Sequence, residues 1–123
     1  MAKKFEEIEV WQLSRALVKE IYSITSADKI KRNYSLKDQI QRAGLSIMNN
    51  ISEGFERQSD REFAYFLNIA KGSAGEVRSM LYIMHDLDYI DNIVFQKTYS
   101  QIMMISKSLS GFITYLKTQP KKP

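Results

Sequence analysis

Apolar residues recur at steps of three and four along the whole sequence, and no stretch alternates apolar and polar residues as a half-buried strand would. The spacing therefore predicts an all-α protein. Four helices are predicted, over about residues 8–25, 36–57, 60–87 and 92–118. Because short connections place consecutive helices side by side, we expect an antiparallel four-helix bundle in up-down-up-down order. It forms a single domain over residues 1–123, with its longest loop at residues 27–34.

Capping residues support the predicted helix starts. Ser35 precedes the second helix, with Asp38 as a weak capping box. Ser59 and Glu62 form a better capping box at the start of the third helix, and Asp91 can cap the fourth.

Composition excludes several classes of protein. The chain has no cysteine, which excludes a disulfide scaffold and a thiolate metal site. The N-terminal sequence MAKKFEEIEV turns acidic where a signal peptide would be apolar, and no run of about 18 apolar residues predicts a membrane span. We therefore expect a cytoplasmic protein without a membrane partner.

The second predicted helix has a polar edge beside its apolar stripe. Two interpretations of this edge stay open: a solvated flank, or side chains covered by a facing helix or a neighbouring subunit, in particular Asn50 and Glu53. The members of the edge follow helical spacing: Gln39, Arg42, Ser46, Asn50, Glu53 and Arg57.

The third predicted helix carries two apolar stripes, although a helix in a single-chain bundle needs only one. The first stripe can face the core and consists of Phe63, Leu67, Ala70, Ala74, Val77, Leu81 and Met84. The second stripe predicts self-association into a symmetric homo-oligomer. The polar edge of the second helix supports this prediction, and so do apolar residues of the first helix that lie away from its core stripe. The candidate subunit-interface residues are Trp11, Val18, Tyr22, Asn50, Glu53, Tyr65, Ile69, Gly72, Glu76, Met80 and Ile83.

The formal net charge of +4 is unevenly distributed, because residues 92–123 contain five lysines and no acidic residue. A basic surface attracts nucleic acid through phosphate contacts with little sequence readout. Our candidates for RNA or DNA contact are Lys29, Lys31, Arg32, Lys37, Arg42, Arg57, Arg61, Lys107, Lys117, Lys121 and Lys122. The alternative is a scaffold that binds another protein, with an incidental basic surface.

No residue set predicts catalysis or cofactor binding, so we expect neither enzymatic activity nor a cofactor. His85 is the only histidine, which excludes a multi-histidine metal site. A phosphotransfer bundle also uses one histidine on a helix. Here Asp86 and Asp88 follow His85, and their charge would oppose an approaching phosphoryl group. A packed or end-capping histidine agrees better with the sequence.

Three segments resemble a known family in order and spacing: VWQLSRALVKEIYSIT, YSLKDQIQRAGLSIMNNISEG and REFAYFLNIAKGSAGEV. The chain resembles the bacterial 23S rRNA-intervening sequence proteins from about residue 5 to residue 116. The resemblance implies a four-helix-bundle subunit that assembles as a homopentamer and has no established enzymatic activity. A related branch, the accessory proteins of diversity-generating retroelements, binds nucleic acid and a reverse transcriptase.

The sequence departs from the common pattern of this family at a few positions. Gly44 and Ser52 stand where alanine is usual, and Ala74 and Gly75 follow the Gly-Ser pair of the third helix. These changes are small enough to keep the implied fold. They bear instead on the subunit contact expected near Ser52 and Gly75.

Overall fold

The computed structural model describes residues 2–120, and the regular structure of these residues is entirely helical. The prediction of an all-α protein is confirmed. The elements are a 3-10 turn, Phe5–Glu7, followed by α1 (Glu9–Thr25), α2 (Asp28–Lys31), α3 (Tyr34–Phe55), α4 (Asp60–Asp86) and α5 (Asn92–Lys117). Within the described residues there are five α-helices in place of the four predicted, and the four long ones begin and end within two residues of the predicted bounds.

The four long helices pack around a common apolar core. α1 packs against α3 and α5, and α4 packs against the same two helices. Leu17, Ile47, Leu81 and Ile105, one from each long helix, are fully buried in the same cluster. The predicted core stripe of α4 lies in this cluster, because its apolar spacing matches the helical repeat. Burial of this apolar surface is the main favourable contribution to folding.

The segment predicted as the longest loop contains α2. Ile30, the only apolar side chain in α2, is fully buried, and α2 packs against α3. A single apolar residue in a four-residue helix cannot show a helical period. The polar composition of the segment therefore concealed both the helix and its anchor.

The start of α3 differs from the prediction. The Leu36 backbone N–H donates to Asn33 Oδ1 at 3.3 Å, so Asn33 is the N-cap and Ser35 lies inside the helix. Asn33 Nδ2 also donates to the Tyr89 hydroxyl at 3.2 Å. This contact explains the choice of cap, since it fixes the start of α3 against the connection between α4 and α5.

The predicted caps of α4 and α5 are present. Ser59 Oγ accepts from the Glu62 N–H at 3.1 Å, and Asp91 Oδ1 accepts from the Val94 N–H at 2.8 Å. Each bond satisfies an N–H group that the helix itself leaves without a partner.

The end of α4 places a residue other than glycine in the left-handed region. Asp88 has φ of 59°. The Tyr89 N–H donates to the Met84 carbonyl at 2.9 Å and the Asp88 N–H donates to the His85 carbonyl at 3.0 Å, which together form a Schellman motif. Glycine is the usual residue at this position because it has no Cβ to crowd the carbonyl oxygen.

Replacing Asp88 by glycine is expected to raise the free energy of unfolding by about 1 kcal/mol. The substitution relieves the left-handed conformation and removes a negative charge from the C-terminal end of α4. Urea denaturation followed by circular dichroism measures the change. Asp86→Asn is the control, because it removes a charge from the same helix end without altering the backbone preference. An equal gain in both variants would show that charge alone accounts for the effect.

Candidate association and nucleic-acid surfaces

The polar edge of α3 lies beside α4 and is hydrogen-bonded to it. Ser46 Oγ and the buried Ser73 Oγ are 2.8 Å apart across the two helices. Asn50 Nδ2 donates to the Ser46 carbonyl at 2.8 Å and to Ser46 Oγ at 3.0 Å. The central part of the edge is thus partly covered within the chain itself, in a network that joins three polar side chains.

The last turn of α3 is more exposed than this network. Glu53 and Arg57 form an ion pair, with side chains 52% and 43% exposed. The Arg57 guanidinium also lies 4.7 Å from the centre of the Phe66 ring on α4. An exposed pair of this kind contributes at most about 1 kcal/mol, while the cation–π contact helps to orient Arg57 against α4.

The second apolar stripe of α4 faces away from the core. Tyr65, Ile69, Ile83 and Leu87 are 63%, 38%, 43% and 48% exposed, and Met80 between them is half-buried. We call this stripe together with the last four residues of the polar edge of α3 the α3–α4 face. Its residues are Ser46, Asn50, Glu53 and Arg57 of α3, Tyr65, Ile69, Gly72, Glu76, Met80 and Ile83 of α4, and Leu87 directly after α4.

Two glycines inside α4 have no packing role within the chain. A Cβ added at Gly72 or Gly75 would meet no atom within 4 Å. Each interior glycine costs a helix about 0.8–1 kcal/mol relative to alanine. The described chain therefore contains no close contact that requires either glycine.

Three candidate interface residues lie on α1, and two of them already have packing contacts within the chain. The Trp11 ring packs edge-on against Phe5, with ring centres 5.0 Å apart. Val18 lies next to Gly44 on α3, where an added Cβ would be 3.7 Å from Val18 Cγ2. Tyr22 is 45% exposed. Of these three predicted interface residues, Tyr22 is the most exposed.

The predicted nucleic-acid residues do not form a single patch. One group lies around α2 and the start of α3: Lys29, Lys31, Arg32 and Lys37. A second group lies where α3 ends, α4 starts and α5 ends: Arg57, Arg61 and Lys117. α3 has 22 residues, which separates the two groups by about 30 Å.

The remaining candidates lie apart from these two groups. Arg42 is paired with Asp38 at 2.9 Å, and Lys107 is exposed in the middle of α5. Lys121 and Lys122 lie outside the described residues. Ion pairing reduces the field that Arg42 and Arg57 offer to a phosphate.

An open cleft of about 850 Å³ lies between the start of α4 and the end of α5; we call it the end cleft. An adjoining hollow of about 200 Å³ extends from it toward Phe63 and Phe112. Side chains that line the end cleft include Ser59, Arg61, Ala64, Asn68, Leu116 and Lys117. The cleft was not predicted, because it depends on how two helix ends distant in sequence come together.

His85 lies in an aromatic cluster between α4 and α5. Its ring centre is 4.9 Å from that of Phe95, which also packs against Tyr82 and Tyr99. Hydrogen bonding to Tyr99 raises the pKa of Tyr82 above its ordinary value. The contact with Phe95 shows that His85 is a packed histidine. Among residues 2–120, no cluster of histidine and acidic side chains is arranged to hold a metal ion.

Within residues 2–120, none of the helices is both long enough and apolar enough to cross a membrane.

Because its long helices pack around one core, the chain belongs to the class of helical-bundle proteins. Comparison with known protein families then identifies its family. The family model of the 23S rRNA-intervening sequence protein matches residues 6–111. The chain therefore belongs to this family, and the resemblance inferred from its sequence is confirmed.

A solved structure supports this assignment. It is the crystal structure of a protein of unknown function of the S23 ribosomal protein family from Bacteroides thetaiotaomicron VPI-5482. The two structures superpose with a TM-score of 0.79 and a sequence identity of 27%. The match covers 85% of this chain and 95% of the Bacteroides chain. No curated protein matches the sequence.

Proposed function

We propose that this protein is a non-enzymatic homo-oligomeric scaffold of the cytoplasm, which self-associates through the α3–α4 face. In this proposal the long helices run in up-down-up-down order, and the ring is a pentamer, as the family resemblance implies. The observation that carries the proposal is the exposed apolar stripe of α4. Single exposed apolar residues are common, whereas several exposed apolar residues on one side of a helix are typical of an interface.

The shape and extent of this stripe agree with a helix-to-helix contact. It runs from Tyr65 to Leu87, about 33 Å along the helix axis. Gly72 lies near its middle, where a second helix could approach the backbone closely. Contact with a second copy provides a packing reason for this glycine.

Replacing Ile69 and Ile83 together by lysine is expected to convert the oligomer into monomers. Both side chains are more than one third exposed within the chain, so the fold of a single subunit should survive. Burying two unpaired lysine charges at an interface, by contrast, is strongly unfavourable. Light scattering measures the solution mass of the wild type and of the variant.

Met104→Lys is the matched control for this experiment. Met104 is 56% exposed on α5, away from the α3–α4 face, and should leave the mass unchanged. A monomeric wild type would contradict self-association. A variant mass equal to that of a wild-type oligomer would instead exclude the α3–α4 face.

Nucleic-acid binding is the second candidate function. The observation that favours it is the presence of Arg61 and Lys117 on one cleft, with Arg57 beside them. In a closed ring such groups repeat around the axis. The charge of +4 per chain becomes about +20 for five copies, which strengthens attraction to phosphate.

The double variant Arg61→Gln/Lys117→Gln is expected to flatten the salt dependence of RNA or DNA binding. If each cation contacts one phosphate, the slope of log K against log salt falls by about 2 in magnitude. Fluorescence anisotropy with labelled RNA and DNA measures this slope. Lys71→Gln/Lys97→Gln, on the same two helices but outside the cleft, is the control and should have a smaller effect.

The two candidate functions predict opposite salt responses. Binding that is weak above low salt, combined with salt-insensitive capture of a protein partner, supports the protein scaffold. Tight binding that decreases steeply with salt supports nucleic acid as the ligand.

A further inference from the structure

The end cleft combines an apolar interior with charge at its edge. Ala64 and Leu116 are buried side chains of the interior, and the adjoining hollow adds the aromatic rings of Phe63 and Phe112. Its volume of about 850 Å³ lies in the range of small-molecule sites. The apolar interior suits the uncharged body of an organic molecule.

The charged groups favour an anion. Arg61 and Lys117 line the cleft from two different helices, and both are exposed. Asp60 lines it as well, so the lining keeps a net positive charge. The Asn68 amide adds a group that can donate or accept a hydrogen bond.

We propose that the end cleft binds a small organic anion, a carboxylate or a phosphate monoester, on an aromatic or short aliphatic body. The body occupies the apolar interior beside Ala64 and Leu116. The anionic group lies between Arg61 and Lys117, where both cations reach it. This site is separate from most of the α3–α4 face and requires neither self-association nor a polynucleotide.

The test uses two fluorescent probes of nearly the same shape: 8-anilino-1-naphthalenesulfonate, which is an anion, and neutral N-phenyl-1-naphthylamine. Both are titrated into the full chain, into Arg61→Gln/Lys117→Gln and into the control Lys71→Gln/Lys97→Gln. We expect the cleft variant to bind the anionic probe about three- to tenfold more weakly. Its affinity for the neutral probe should be unchanged, and the control should match the wild type with both probes.

Amide chemical shifts locate the bound probe. Changes at Asn68 and Leu116 support the end cleft, whereas changes centred on Ile83 and Leu87 would place the probe on the α3–α4 face and overturn the proposal. Equal losses in the two double variants would also overturn it. Circular dichroism of each variant confirms that it is folded.

Competition then identifies the anionic group. Displacement of the anionic probe mainly by 1-naphthyl phosphate assigns phosphate monoesters to the cleft, and displacement mainly by 1-naphthoate assigns carboxylates. Failure of both compounds to displace the probe would contradict the proposed ligand class. Because the solution mass of the protein is measured separately, this result is independent of the outcome for self-association.

Discussion

Replacing Ile30 by alanine is expected to lower the free energy of unfolding by about 2–4 kcal/mol. Ile30 is fully buried although it belongs to a four-residue helix between α1 and α3. The substitution removes apolar contacts and leaves a cavity that the surrounding long helices cannot fill completely. Urea denaturation followed by circular dichroism measures the loss.

Lys29→Ala is the control for this experiment. It changes the helix propensity of α2 but leaves the buried side chain of Ile30 in place. Lys29 is exposed in the same short helix, and its replacement should change stability by no more than about 0.5 kcal/mol. A loss of similar size in both variants would mean that the side chain of Ile30 does not anchor the segment.

Replacing Gly54 by alanine is expected to destabilise the protein by about 1–3 kcal/mol, although alanine is the better helix former. An added Cβ would lie 2.8 Å from Phe63 Cδ1, 2.9 Å from Phe66 Cβ and 3.2 Å from the Phe63 carbonyl oxygen. The last two atoms are held by the backbone of α4, so the two helices would have to separate. Thermal and urea unfolding both measure the effect.

Gly111→Ala is the control, and its effect on stability is expected to have the opposite sign. A Cβ at Gly111 of α5 would meet no atom within 4 Å, so alanine should stabilise the protein by about 0.8–1 kcal/mol. A stabilising effect at Gly54 as well would contradict the close approach of α3 and α4.

The core stripes of the long helices were predictable, because a helix repeats every 3.6 residues and its buried face shows in the sequence. Ser59 and Asp91 were predictable as caps for a similar reason, since each bond involves an N–H three residues away. The cap bond of Asn33 has the same local spacing, but the contact that favours Asn33 over Ser35 could not be predicted. That contact joins the Asn33 side chain to Tyr89, 56 residues further along the chain.

The candidate surfaces were predictable only in part. Periodicity identified the second stripe of α4 and the polar edge of α3, and the hydrogen bond between Ser46 and Ser73 shows that the polar edge lies against α4. The candidate basic residues could be named from charge, but their separation into two groups about 30 Å apart depends on helix packing. The end cleft gave no sequence signal.

The sequence by itself determined the helical class, the buried faces of the long helices and the family, because these follow from local spacing and from motifs read in order. Tertiary packing alone decided that Ile30 anchors α2, that Gly54 lies against Phe63 and Phe66, and that Arg61 and Lys117 line one cleft. Each of these depends on side chains that only the packing of separate helices brings together. The period of a single helix carries no information about that packing.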